Sequence, residues 1–382
     1  MFGYFGIFLY LCIMLYQKNN QMSFVDGYVE RRIRKNTFFK QMNMLIDWRE
    51  IEKEINKAYK RGHSVDGRPA YRGLLLFKML LIGIWYDMSD EKVEESVNDS
   101  LSMMRFCELE IEDSVPDHSV LSRFRSELTE KRAFDRLLKK INGQLVSHKV
   151  IIRNGSGIID ATLTDTPRCP KGKTQYELAE DRKEDQRSVE DMDKEEKQMK
   201  LVKKQQPGVD NEARYLKKGG KLHFGYKKHI LTDENGIQLS VHTTTANEHD
   251  SKGLQPCLEN QDEALAISSC YADKGYQVPD NVEMLKTPVK NIKVKNRIQH
   301  KAYRNKPLTH WQKKYNHLVS KKRWVVERTF GGMHRWFHCG VARYVGLAKT
   351  HTQHLMEAIA YNLYRAPGII MSNCQIQAEK CR

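Results

Sequence analysis

At Asn154-Gly155-Ser156-Gly157 the hydrophobic period of the chain changes, so neither an all-helical nor an all-β architecture accommodates both sides. Upstream, apolar residues recur at the three-to-four-residue spacing of helices; downstream they come in short runs of strand character. The expectation is an α/β fold preceded by an all-α part, and 382 residues leave room for two domains. The boundaries read this way are 22–150 for a helical domain, 151–368 for an α/β domain and 369–382 for a C-terminal tail.

In the first part, Tyr71 to Trp85 is apolar on most faces, which predicts a central buried helix. Ser89 and Asp90 supply an N-cap for a short helix bearing Val93 and Val97. Pro116-Asp117 opens another, with Val120, Leu121, Phe124 and Leu128 on one side and His118, Ser122, Arg123 and Arg125 on the other. This succession resembles a helix-turn-helix and makes Arg123 and Arg125 candidate readers of a DNA groove. A plain helical bundle with solvated arginines is the competing reading.

In the second part, Gly157 to Thr162 reads as a first strand. Residues 174–206 carry ten acids and eight bases with one aromatic, Tyr176, which predicts a loose charged helix or a disordered insertion. Leu222–Leu231 and Ile237–Thr245 flank Asp233-Glu234-Asn235-Gly236, a hairpin signal. A short helix at Ser251–Glu259 and a strand ending at Asp273 follow. Val282–Val289 reads as a turn and strand. Leu308–Phe337 reads as a long helix interrupted at Gly331-Gly332, and His351–Tyr364 as an apolar-striped helix packed on the sheet. Three strands followed by alternating helix and strand describe a ribonuclease H-like layout.

Three carboxylates stand out. Asp160 ends the run Gly157-Ile158-Ile159, Asp273 ends Cys270-Tyr271-Ala272, and Glu327 lies in the basic helical stretch Arg323–Arg328. Carboxylates from two strand ends and one helix can converge on a pair of divalent metals that cuts and joins phosphodiesters. The 112 and 53 intervening residues are no obstacle if the two strands are neighbours and the helix crosses them.

The net charge is +16, and most of it is local: Lys286 to Arg335 holds fifteen Lys or Arg against one acid, Glu327. Tyr303, Trp311, Tyr315, Trp324 and Trp336 interleave with these cations. A basic surface with flat rings suits a nucleic acid, bound by counterion release and stacking. Eight scattered cysteines without a CxxC pair argue against zinc and disulfides and favour a reducing cytoplasm. The apolar run Phe2–Tyr16 is short for a membrane span of about 20 residues. It lacks the charge and cleavage signals of a leader, so residues 1–21 read as an upstream extension, with a membrane anchor the other reading.

Taken in order, these motifs resemble a bacterial transposase of the insertion sequence five family, within the larger DDE transposase group. The helical part carries Gly67-Arg68-Pro69-Ala70-Tyr71, Trp85-Tyr86-Asp87-Met88-Ser89-Asp90, Val115-Pro116-Asp117-His118-Ser119 and Arg123-Phe124-Arg125. The α/β part carries Ile159-Asp160-Ala161-Thr162, Phe224–His229, Ala272-Asp273-Lys274-Gly275-Tyr276 and Val326-Glu327-Arg328-Thr329-Phe330-Gly331. The resemblance spans about Met22 to Arg365, interrupted by the charged insertion.

It implies that Asp160, Asp273 and Glu327 hold two Mg²⁺ or Mn²⁺ ions and catalyse cleavage and strand transfer at terminal inverted repeats. The family's third motif falls on Ser320, Arg323, Glu327 and His334, of which Ser320 and His334 depart from it. Offsets of four and seven residues keep Arg323 and His334 on the glutamate's helix face. Arg323 is expected to orient Glu327 or grip a phosphate, with Arg335 substituting where His334 contacts DNA weakly. Lys321 and Lys322 are candidate phosphate contacts. So are Lys227, Lys228 and His229, on a strand read as exposed, with plain solvation as the alternative. Implied partners are double-stranded DNA and a second copy in a homodimer, without a membrane, in a bacterial cytoplasm. A catalytically inactive, domesticated DNA-binding descendant is the competing function.

Overall fold

Polar caps and apolar stripes start and stop the helices of the first part, as their side chains require. The computed structural model describes residues 38–59, 70–171, 176–180, 199–203, 206–262, 265–286 and 294–380. The apolar run Phe2–Tyr16 and the expected extension 1–21 lie outside these. The helices are α1 (Phe38–Leu45), α2 (Trp48–Ala58), α3 (Gly73–Trp85), α4 (Asp90–Asp99), α5 (Leu101–Phe106), α6 (His118–Glu130) and α7 (Ala133–Ser147). Ser89 caps α4 and Asp117 caps α6 by accepting hydrogen bonds from the Lys92 and Val120 amides.

Every residue of α3 is buried, including Lys78. Its ammonium lies 2.9 Å from Glu108 and over the Trp48 and Phe106 rings, which offsets the cost of burying a charge. Leu76, Phe77, Leu81 and Ile82 are fully buried, each contributing about 1.5–3 kcal/mol. The Trp85 indole at the end of α3 donates to the Ala360 carbonyl, so this helix reaches the last helix of the chain.

Past the break come β1 (Ser156–Asp165), β2 (Tyr176–Glu180), β3 (Met199–Lys203), β4 (Arg214–Lys218), β5 (Lys221–Thr232) and β6 (Gln238–Thr245). A 3-10 turn and α8 (Leu254–Asn260) lead to β7 (Ser269–Ala272), then α9 (Pro279–Lys286) and β8 (Lys295–Ile298). Two long helices close the chain, α10 (His310–Phe337) and α11 (Leu347–Lys380). Six strands form one mixed sheet: β5 pairs antiparallel with β1, β4 and β6, and β1, β7 and β8 run parallel in that order. Gly225 is where β5 crosses close to β1: a Cβ there would meet the Thr164 carbonyl oxygen at 2.1 Å, which only glycine avoids.

One hydrophobic cluster runs from Phe39 to Ile369 through both parts. Within it, buried amides stitch α7, β6 and α11: Asn142 and Asn362 both donate to the Gln238 carbonyl, and Asn362 also donates to Asn142.

Four expectations are corrected. The charged insertion is not a helix at its flanks, because Tyr176–Glu180 and Met199–Lys203 pair as an antiparallel two-stranded sheet; residues 181–198 lie outside the described residues. The strand expected at Val282–Val289 is instead α9 up to Lys286, opened by Pro279, whose fixed φ suits a first helical turn. Gly331-Gly332 does not interrupt α10; Met333 and Phe337 beyond it are buried, and their packing carries the helix through. The tail expected from residue 369 continues α11, which runs past Pro367 to Lys380.

Candidate active site

Strand register places the first two carboxylates side by side. Ser156, Gly157 and Ile158 of β1 lie opposite Ser269, Cys270 and Tyr271 of β7, a constant offset of 113 that puts Asp160 level with Asp273. Asp160 is largely covered, and its Oδ1 accepts from the Ala161 amide at 2.9 Å. Asp273, just past β7, caps the short turn Lys274–Tyr276 with the same kind of bond to the Lys274 amide, 2.6 Å. Each hydrogen bond ties one carboxylate oxygen to the amide of the next residue, and the second Asp160 oxygen accepts from Arg323 at 2.7 Å.

The third element is α10, anchored next to them by amides that periodicity does not reveal. Gln299, just past β8, donates to the Asn316 carbonyl and to Ser320 Oγ, while Asn316 and His300 exchange hydrogen bonds. This brings Arg323 over the sheet. Its guanidinium is 2.7 Å from Asp160, 3.9 Å from Asp273 and 4.0 Å from Glu327. Three carboxylates from β1, β7 and α10 thus surround one buried cation. Burial pushes the Asp160 carboxyl above its ordinary range, against the pull of Arg323, and the nearby Asp273 charge adds to the rise.

An all-oxygen, triply anionic set gathered on a positive charge has the chemistry of a hard divalent cation site. As placed, with the guanidinium between them, no three acidic, histidine or cysteine side chains among the described residues form a closed metal cage.

Other candidates fall elsewhere. Lys321, Lys322 and Arg335 are exposed on α10, with Glu234 3.8 Å from Lys322. His334 is turned inward instead, its Nε2 paired with Thr162 Oγ1 of β1 at 3.1 Å, and burial lowers its pKa. That corrects its reading as a DNA contact: it ties α10 to β1 two residues past Asp160. Lys227, Lys228 and His229 are also corrected, because from Phe224 onward β5 is an interior strand buried on both faces. Lys227 is 2.7 Å from Asp250, Lys228 is 3.1 Å from Glu357, and the His229 ring abuts Gly253. Arg125 grips Asp90 with two hydrogen bonds and lies 4.2 Å over the Tyr344 ring, so it locks the helical part to the loop after α10 rather than reading a groove. Arg123 remains exposed on α6.

The burial of His229 has a measurable consequence. Its pKa is pushed down to about 3, chiefly by desolvation, so the folded protein keeps the ring neutral while the unfolded chain protonates below about 6.5. Folded stability is therefore lost as pH falls through that window. Against a His229→Gln variant, the wild-type advantage in unfolding free energy should shrink by about 2 kcal/mol between pH 7 and pH 5. Denaturant titrations at the two pH values measure it; a constant difference would put the ring in solvent.

Residues 154–363 match the family described as a transposase DDE domain, more than half of the chain. The chain belongs to the DDE transposase family. A second family, described as a transposase domain, matches residues 28–127 of the helical part. The transposase for insertion sequence element IS1106 of Neisseria meningitidis serogroup B is 35% identical over 245 residues, covering 64% of this chain and 76% of that protein. No solved structure matches. Membership in the DDE family implies DNA as the partner and generally a divalent metal ion as cofactor. Cys107, Cys169, Cys257, Cys270 and Cys339 are free, and no helix among the described residues is long and apolar enough to cross a membrane.

Proposed function

We propose that this DDE transposase binds the terminal inverted repeats of its own insertion sequence and cuts and joins DNA there, as a cytoplasmic homodimer. The sheet order, with β1 between antiparallel β5 and parallel β7, supports a ribonuclease H-like catalytic domain over 151–368, preceded by a helical DNA-binding domain over 22–150. The observation that carries the reading is the convergence of Asp160, Asp273 and Glu327 on Arg323 from three separate elements.

In this reading Asp160, Asp273 and Glu327 are the residues that hold two Mg²⁺ or Mn²⁺ ions. When bound, such ions lower the pKa of an attacking hydroxyl and neutralise the leaving oxygen. Asp160 and Asp273 supply rigid oxygens, each fixed by the backbone amide of the next residue, while Glu327 is the exposed and adjustable one. Arg323 keeps the three carboxylates together against their mutual repulsion and is placed to meet a scissile phosphate. Exposed Lys321, Lys322 and Arg335 hold the DNA backbone beside it without reading sequence.

The test is a duplex carrying one end of the element, incubated with the purified full chain. With Mg²⁺ or Mn²⁺, strands nicked to a free 3′-hydroxyl and then joined to a second duplex are expected, and chelation should abolish both. Tight binding of that end without a nick under any divalent metal would instead favour the inactive, domesticated descendant.

A further inference from the structure

The tip of the β4–β5 hairpin projects beyond the sheet, while at its base Phe224 is buried and His223 pairs with Asp165 at 2.9 Å. β1 last pairs with β5 at Gly225 and β6 at Tyr226, so among the described residues Lys221 to Phe224 has only β4 as a strand neighbour. Arg214, Tyr215, Lys217, Lys218, Lys221 and Leu222 are all exposed, Leu222 to 68%. Beyond that base a two-stranded ribbon is marginal by itself. What defines it is the two-residue turn Gly219-Gly220, both at positive φ (58° and 80°), which matches the twist of a tight hairpin.

The charge pattern works against folding. Lys218 and Lys221 face each other directly across the ribbon, and like charges in such a pair destabilise it. Between Ala213 and Leu222 there are four cations and no acid, and none of the three lysines has an ion-pair partner among the described residues. Alternation puts Arg214, Lys218 and Lys221 on one face, and Tyr215, Lys217 and Leu222 on the other. Four cations without an acid make a surface suited to an external polyanion. A ribbon of this width enters the major groove of a DNA duplex, with its lysines at the phosphate rims.

We propose that the β4–β5 hairpin is a DNA-binding arm that enters a groove of the duplex flanking the cleavage site. From Asp160 to the turn is roughly ten residues along β1 and then β5, about 30 Å at the strand rise, or nearly one turn of duplex. This rests on the DNA reading above and adds a contact site that none of the family motifs contains.

The experiment uses the full chain and a fluorescein-labelled 40-base-pair duplex of random sequence, titrated between 50 and 200 mM salt. Replacing Lys217, Lys218 and Lys221 together by Ser should flatten the slope of log affinity against log salt by roughly 2 to 3, from three lost phosphate contacts. Affinity at 150 mM should fall more than tenfold, while the melting temperature stays level or rises as the Lys218–Lys221 repulsion goes. The matching triple Arg variant should keep wild-type binding. An unchanged slope in the Ser variant overturns the arm, as does equal loss in the Arg variant. Loss of dimer without DNA in the Ser variant, seen by sedimentation, assigns the ribbon to a second copy and also overturns it. Failure of the wild type to bind any duplex would overturn the DNA reading itself, a result distinct from all of these.

Discussion

Asp160→Asn, Asp273→Asn and Glu327→Gln should each lower strand cleavage at an element end by about 10³-fold or more, the several kcal/mol that a metal-held transition state is worth. Binding of the same duplex should stay within a few-fold of wild type, because the basic face of α10 is untouched. The three need not be equal in their other effects. Asp160 is largely covered and bonded to Arg323, so its amide variant removes a charge that balances a buried guanidinium. Glu327 is the most exposed of the three, so Glu327→Gln should leave the melting temperature alone while abolishing cleavage. Single-turnover cleavage with parallel anisotropy binding separates the outcomes. Wild-type cleavage by any one variant would remove that residue from the site.

Glu357→Ala should destabilise the protein by about 3–5 kcal/mol, because it leaves Lys228 charged and alone in the interior. The pair is fully buried, 0% and 2% exposed, and joins β5 to α11 at 3.1 Å. Gln353 holds the other Glu357 oxygen at 2.7 Å and also reaches the Val341 carbonyl, so the loop after α10 depends on the same network. The double change Lys228→Met with Glu357→Leu should recover most of the loss, since two apolar groups of similar volume need no partner. Denaturant unfolding of the wild type, the single variant and the double variant measures the loss and the recovery. If Glu357→Ala costs no more than a surface change while DNA affinity falls, Lys228 is a phosphate contact after all.

Much of the site was legible because its signals are local. The apolar run before Asp160 and the one before Asp273 announce strands whose ends carry an acid, and a lone acid in a basic helix marks Glu327. Caps at Ser89 and Asp117 and the Asp233–Gly236 turn are equally short-range: each is a backbone requirement met by a residue two to four positions away. The change of period at Asn154–Gly157 likewise separates helices from sheet before any contact is known.

What the tertiary structure alone decided is which partner each charge has. Lys227, Lys228 and His229 look like an exposed basic strand until β1 and β6 flank it and α11 supplies Glu357; Arg125 looks like a groove reader until Asp90 and Tyr344 hold it. Periodicity tells which side of an element is apolar, but a buried ion pair between residues 129 apart leaves no period. The same holds for the meeting of Asp160, Asp273 and Glu327. Their chemistry is written in the sequence, whereas their common level comes from a parallel register and a helix tethered by Gln299 and Asn316. Local propensity acts over a few residues, and only the closing of long loops brings the remaining partners within range.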